Sequence, residues 1–384
     1  MADAPRKRRW PFYLAALAVL LVLAGVWVDR QLEPVRLTAT VLSRAGAALG
    51  LEFSIGGTPE YALRPEPRLV LPKLTVRQPG AAAPLLRADV AEISLPWDTL
   101  WGGETVVITR VALQRPELNL AALAHWQATR PDAPFELPTL TNGLQVQNGS
   151  VLGEGWRIDA LRLALPELRG GRMARIAAAG VLTQAATTLD FDISAELATA
   201  GLASNYDIDG KGQLRSEDLD VPWALASQGR FDASGESVQL EISALTLASE
   251  SPVPTLDATG KATLGTVILV DLKGTIARWP EGWPTLPAPL SASTSPLAYT
   301  MAYQGPGNFS APIALVVLRD ETRFDARFVT KDVLAWIDAA AGSAPLPPLA
   351  GTLATPRLEI SGATLEGVSI QIEEDTPAAA ERQP

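Results

Sequence analysis

The chain has no cysteine and a single histidine, His125, in 384 residues. Those two shortages exclude disulfides, thiol chemistry, Cys/His pairs and any multi-histidine metal site. Aromatic residues are also scarce, at 6%. Past the N-terminus the basic residues are scattered, and no basic stripe interleaves with aromatics, so nucleic acid is not an expected partner. Helical periodicity is rare as well. What the chain does have is 47% hydrophobic residues, a net charge of −10, and 31 prolines with 30 glycines that punctuate short apolar runs. That composition predicts a folded body with much buried surface.

One apolar run is long. Residues 10–28 carry no charge over about 19 positions, between Arg6-Lys7-Arg8-Arg9 and Asp29-Arg30. At ~1.5 Å rise per residue, that length crosses a bilayer once. The basic flank, residues 1–9, is expected to stay cytoplasmic. The body is then expected across the inner membrane, in the periplasm. A cleavable signal peptide is the alternative, since Val22-Leu23-Ala24 offers small residues at suitable offsets. Continuation of the run through Gly25-Val26-Trp27-Val28 favours a retained anchor.

Residues 30–50 read as an amphipathic helix. Val35, Ala39, Leu42, Ala45 and Leu49 recur at three- and four-residue steps, and Gly50 is a stop signal. From Leu51 the period changes to two. Leu69, Leu71, Leu74 and Val76 form one run, Ile93, Leu95 and Trp97 another, and Thr105 to Leu113 a longer one. Trp156-Ile158-Ala160, Leu161-Leu163-Leu165, Leu189-Phe191-Ile193, Val238-Leu240-Ile242, Tyr299-Met301-Tyr303, Ile313-Leu315-Val317, Leu358-Ile360 and Val368-Ile370-Ile372 continue the pattern. A mainly β body over 51–372 follows, in antiparallel arrangement. Short helices are expected at 118–128 and 331–341. An internal break is expected near 279–297, where the chain is rich in Pro, Ser and Ala, and a disordered tail over 373–384.

Chemistry-bearing patterns are few. His125 sits in Leu-Ala-His-Trp-Gln and reads as a surface or packing residue. Asp190 and Asp192 alternate with Phe191 and Ile193, which makes them the solvated face of a strand. Asn205-Tyr-Asp207-Ile-Asp209-Gly210 matches the first half of an EF-hand loop, but its twelfth position is Ser216, not Glu. A strand running into a turn at Gly210-Lys211-Gly212 describes it better. Asn148-Gly-Ser150 and Asn308-Phe-Ser310 fit the glycosylation sequon, and Asn148-Gly149 is also a hairpin-turn signal. No catalytic, cofactor-binding or metal-ligating residue is assigned, and no enzyme activity or cofactor is expected.

The order of features resembles the AsmA-like family of bacterial envelope proteins, relatives of the bridge-like lipid-transfer proteins. The resemblance rests on Leu51-Glu-Phe-Ser-Ile-Gly56, Pro67-Arg-Leu-Val-Leu71, Leu86-Arg-Ala-Asp-Val90, Leu95 to Gly103 and Val111-Ala-Leu-Gln-Arg-Pro-Glu-Leu-Asn-Leu120. Near the C-terminus it rests on Gly351-Thr-Leu353 and Leu358 to Ile370. It covers residues 10–125 and 325–372, and none of these motifs is catalytic. It implies a long curved antiparallel sheet forming a hydrophobic groove, and a role in phospholipid traffic and outer-membrane assembly. Phospholipid acyl chains are then the implied ligand, with the inner membrane and other envelope proteins as partners. The candidate groove-lining residues are Val107, Val111, Leu113, Leu240, Ile242, Ile360 and Ile370. The alternation leaves two arrangements open: apolar faces standing open as a trough, or closing on each other as a packed core. A scaffold for outer-membrane protein or secretion-machine assembly, docking through sheet edges, is the competing function.

Overall fold

Alternation at period two dominates the sequence, and the computed structural model is mainly β. It describes residues 42–43, 46–47, 49–62, 67–94, 96, 108–129, 137, 139–216, 219–235, 237–250, 253–280, 290–333, 348–360 and 363–372. The chain divides into two compact units, Met1–Arg130 and Pro131–Pro384. The expected anchor at 10–28 and the tail at 373–384 lie outside the described residues. Among the described residues no helix is long and apolar enough to cross a membrane. Of the expected helix at 30–50, residues 42, 43, 46, 47 and 49 are described and helical, and Gly50 follows with a φ of 63°.

Among the described residues the first unit holds six strands: β1 (Glu52–Ser54), β2 (Glu60–Ala62), β3 (Arg68–Arg77), β4 (Leu86–Ser94), β5 (Arg110–Gln114) and β6 (Glu117–Asn119). β3 is the hub, pairing antiparallel with β1, β2 and β4, and β4 also pairs with β5 and β6. The apolar residues of β3 change phase, from Leu69 and Leu71 to Leu74 and Val76. The change falls at Lys73, whose φ is 47°, with the register to β4 unshifted, and all four leucine and valine side chains are buried in one core. Leu71 is 0% exposed.

One helix, α1 (Leu120–Ala128), packs on that core through Ala122, Leu123 and Trp126. The Asn119 side chain accepts a hydrogen bond from the Ala122 amide at 3.0 Å, which caps the first turn. At the far end Trp126 Nε1 donates to the Leu49 carbonyl at 2.8 Å. The helix starts two residues later than its sequence pattern suggests, because Glu117–Asn119 is drawn into pairing with β4. Of the helix expected at 331–341, only 331–333 are described, and they are helical.

Among the described residues the second unit is a fourteen-strand antiparallel meander in which each strand pairs with the next. Its strands are β7 (Leu144–Leu152), β8 (Trp156–Leu165), β9 (Ala174–Gln184), β10 (Thr187–Leu197), β11 (Ala203–Ser216), β12 (Leu219–Asp232) and β13 (Val238–Ser249). There follow β14 (Leu256–Leu264), β15 (Ile268–Ile276), β16 (Leu297–Gly305), β17 (Ile313–Arg319), β18 (Thr322–Phe328), β19 (Ala350–Ile360) and β20 (Ala363–Ile372). Between 279 and 297 the chain makes a long connection, yet the strands it joins pair directly, with Ile276 opposite Leu297.

Two turn readings are corrected. Gly210-Lys211-Gly212 is not a turn: β11 runs through it to Ser216. The glycine is there for space, since a Cβ on Gly212 would lie 1.8 Å from the Asp190 carbonyl oxygen on the neighbouring strand. Asn148-Gly149 is not a hairpin: it lies inside β7, where Asn148 takes a φ of 53° at a shift in register.

Candidate functional site: a half-open apolar sheet face

In the second unit, residues directly opposite each other on neighbouring strands share a face, so the register defines continuous rows. One row runs Phe231–Leu240–Ala262–Val270–Tyr303–Ile313–Phe328 across β12 to β18. A second runs Leu225–Leu247–Leu256–Ile276–Leu297 across β12 to β16. Both rows lie on one face. The other face carries a ladder of alternating charge, Arg230–Glu241–Lys261–Asp271. Each of these charges sits directly opposite one of the other sign. A one-residue slip would break that ladder and turn the apolar rows to water, so both faces specify the same register.

β13 shows how the apolar face is kept continuous. Its apolar residues are Val238, Leu240 and Ile242, then Leu245 and Leu247. The phase changes between Ile242 and Leu245, and the pairing with both β12 and β14 shifts at that point. An inserted residue in the bulge holds both sets on one face.

Coverage of this face is uneven. At the β15–β16 end, Ala258, Ile276, Leu297 and Tyr299 form a buried cluster with Trp279 packed on it. The Tyr299 hydroxyl donates to the Asp257 carbonyl at 3.1 Å, and burial, followed by the Asp257 charge, pushes its pKa up. Along β13 the picture differs. Val238, Leu240, Ile242, Leu245 and Leu247 are all half-buried and none is buried. A face covered by a second sheet or a helix layer would bury such residues. This strand keeps its apolar face partly open.

One concavity of this unit falls elsewhere. A recess of about 570 Å³ has among its walls Lys261, Asp271, Ala302, Ala314 and Arg327. Those five residues follow one another across β14 to β18 in the charged-face row. The recess therefore opens on the charged side, opposite the apolar rows.

The described members of the seven sequence-assigned lining residues are divided between the two units. Val107 lies outside the described residues. Val111 and Leu113 sit on β5 of the first unit, where Leu113 packs against the closed core. Leu240 and Ile242 are on the half-open stretch of β13. Ile370 on β20 stands opposite Leu353 and is 36% exposed. Ile360 occupies the last position of β19, opposite Ala363. Phe231, Val270, Tyr303 and Ile313 belong to the same face as Leu240 and were not singled out from the sequence. Matching the phase of neighbouring runs, once hairpin partners are assumed, is the signal that would have found them.

The candidate chemical residues resolve plainly. His125 is exposed on α1. Asp190 pairs with Arg215 on the charged face. Asn205 to Gly210 is extended backbone within β11, and Asp207 accepts from Gln228 at 3.1 Å. Among the described residues no group of three His, Asp or Glu side chains could hold a metal ion. No protein-family model, curated protein or solved structure matches the chain.

Proposed function

We propose that this chain is an inner-membrane-anchored, periplasmic lipid-binding or lipid-transfer protein. It serves envelope phospholipid traffic and outer-membrane homeostasis without enzymatic chemistry. The half-open apolar face of the second unit is the surface that carries acyl chains. One observation supports this reading above the others: five apolar side chains along β13 stand half-open on an otherwise continuous apolar face. Leu, Val and Ile line it, and such a surface takes interchangeable hydrocarbon tails without needing a fixed ligand shape. The polar headgroup of a bound lipid would stay in water at the edge of the sheet.

A photo-crosslinking residue placed at 240 or 242 tests the reading in the full chain, in its own membrane. A third variant at Glu241, which points to the charged face, is the control. Phospholipid adducts at 240 and 242, and none at 241, are the expected outcome. Adducts to protein alone, or none, would end the lipid reading.

A second reading is favoured by β20. Among the described residues, its only strand partner is β19, and Leu365 and Ile370 on it are 45% and 36% exposed. An unpaired apolar edge recruits other strands. Protein adducts from position 365 that outnumber lipid adducts from 242 would move the assignment to an assembly scaffold.

A further inference from the structure

Four large apolar side chains stand exposed at one end of the second unit. Leu264 and Val267 flank the turn between β14 and β15, Leu269 follows it, and Phe309 sits in the turn between β16 and β17. Their exposures are 40%, 48%, 42% and 43%. In a meander both turns lie at the same end of the sheet. They also abut: a Cβ on Gly307 would stand 3.6 Å from Ile268 Cδ1. No charged residue lies between Lys261 and Asp271, and none from Leu297 to Leu318.

Phe309 is held outward at a cost. Its φ is 53°, a region that a bulky side chain seldom enters. Local bonds keep it there. The Phe309 amide donates to the Pro306 carbonyl at 3.1 Å, and the Tyr303 hydroxyl donates to the same carbonyl at 2.6 Å. The Ser310 amide donates to the Asn308 side chain at 3.1 Å, and the Tyr303 and Phe309 ring centres are 4.9 Å apart. The turn is thus braced so that it presents an aromatic ring to solvent. A loop selected only for solubility would place a polar residue there.

We infer that this end of the sheet is a membrane-docking tip, inserted into the headgroup and upper acyl region of a lipid surface. The shape and the charge pattern favour lipid over protein. Leu264, Val267 and Phe309 stand at or beside the turn tips and are not among the walls of the recess, which suits a fluid interface. Leu269, on β15, lies at the recess edge. The nearest ladder charges are Lys261, three residues behind Leu264, and Asp271, four behind Val267 and two behind Leu269, about 7–13 Å along the strand at ~3.3 Å per residue. Apolar faces at an interface sink ~5–10 Å, so the charges would remain in water with Leu264, Val267 and Phe309 inserted and Leu269 at the headgroup level. The two apolar turns carry no charge and the adjoining β12–β13 turn carries Asp232, so docking should not need anionic lipid. The inference stands apart from lipid carriage, because a body that carries no lipid could still dock this way.

Zero cysteines make the test direct. Val267→Cys and Leu264→Cys are made separately in the full chain and labelled with an environment-sensitive fluorophore. Glu154→Cys, in the exposed turn between β7 and β8 at the opposite end of the sheet, is the control. Each protein is reconstituted in vesicles of phosphatidylethanolamine and phosphatidylglycerol, and again in phosphatidylcholine. Brominated phospholipid is placed either in the host vesicles or in vesicles added afterwards. The expected result is at least twofold quenching at 264 and 267 in one arrangement, alike in both lipid mixtures, with none at 154. Equal quenching at 154, or none at 264 and 267, would overturn the inference. A blue shift at 264 and 267 without quenching would show a protein surface covering the tip, and would overturn it too.

Discussion

Tyr206 and Gly229 face each other across β11 and β12, and the tyrosine occupies the space that a glycine side chain would need. A Cβ on Gly229 would lie 2.8 Å from the Tyr206 hydroxyl and 1.9 Å from the Glu241 carbonyl oxygen. The tyrosine could swing away, but the carbonyl belongs to the backbone of β13. Gly229→Ala should therefore destabilise the second unit by about 2–4 kcal/mol. Thermal unfolding checks this. A change under ~0.5 kcal/mol would mean that the strands are not held so close at this point.

Open and closed apolar positions should respond differently to a charge. Leu71 is fully buried in the first unit, and Leu71→Asp should cost about 3–5 kcal/mol and unfold that unit. Ile242 is half-buried. Ile242→Asp should cost less than about 2 kcal/mol, because its carboxylate can still reach water. Circular dichroism melts of the two variants decide the point. Equal loss would show that the β13 face is closed.

Trp126 ties α1 to the segment ahead of β1 by its hydrogen bond to the Leu49 carbonyl. Trp126→Phe keeps most of the apolar contact and removes the donor. A loss of about 1 kcal/mol is expected. Hydrogen exchange in α1 should rise, while exchange in β11 and β12 stays unchanged.

The connection between β15 and β16 is fastened by one carboxylate. Asp320, in the turn after β17, accepts from the Ser293 hydroxyl at 2.6 Å and from the Ser295 hydroxyl at 2.5 Å. Arg319 donates to the Ser293 carbonyl. The two hydroxyls, with a smaller contribution from Arg319, hold the Asp320 pKa below its usual value. The folded pKa is depressed, so this fastening is complete above the ordinary carboxylate value of ~3.9 and is lost as pH falls through the folded value. Glu321 is the other charged group on that turn, and Arg323 follows it in β18. Exchange of the Ser293 and Ser295 amides, corrected for the intrinsic pH dependence, should be flat from pH 5 to 8 and rise only below about pH 4. Asp320→Asn should raise it at neutral pH. A rise centred near pH 6 would point to another group.

Much of the local structure was legible in residue order. The alternation in Val238-Leu240-Ile242 and Tyr299-Met301-Tyr303 describes strands that form as read. The helix at α1 was legible from its apolar content, but its start was not: the pattern begins at Leu118, and the pairing of β6 moves it to Leu120. Bulges were legible too, although the phase change was not used. Leu71 to Leu74 and Ile242 to Leu245 each step by three where two is the rule, and each marks a register irregularity or a positive φ. Glycines misled. Gly210 and Gly212 look like a turn because glycine favours turns, but Gly212 answers to the carbonyl of Asp190, more than twenty residues earlier. No local window contains that neighbour.

The sequence by itself determined that each strand has one apolar and one polar face, and which residues belong to each. Alternation does this directly, because successive side chains point to opposite sides of a strand. It could not say what lies above a face. Leu71 and Ile242 sit in runs of the same kind, yet one is sealed and the other half-open. The difference is whether another element packs across them. Helix α1 and the neighbouring strands converge on the first core, whereas β13 has its partners beside it in the sheet. Burial depends on contacts between residues far apart in sequence, and those contacts exist only after the chain has folded.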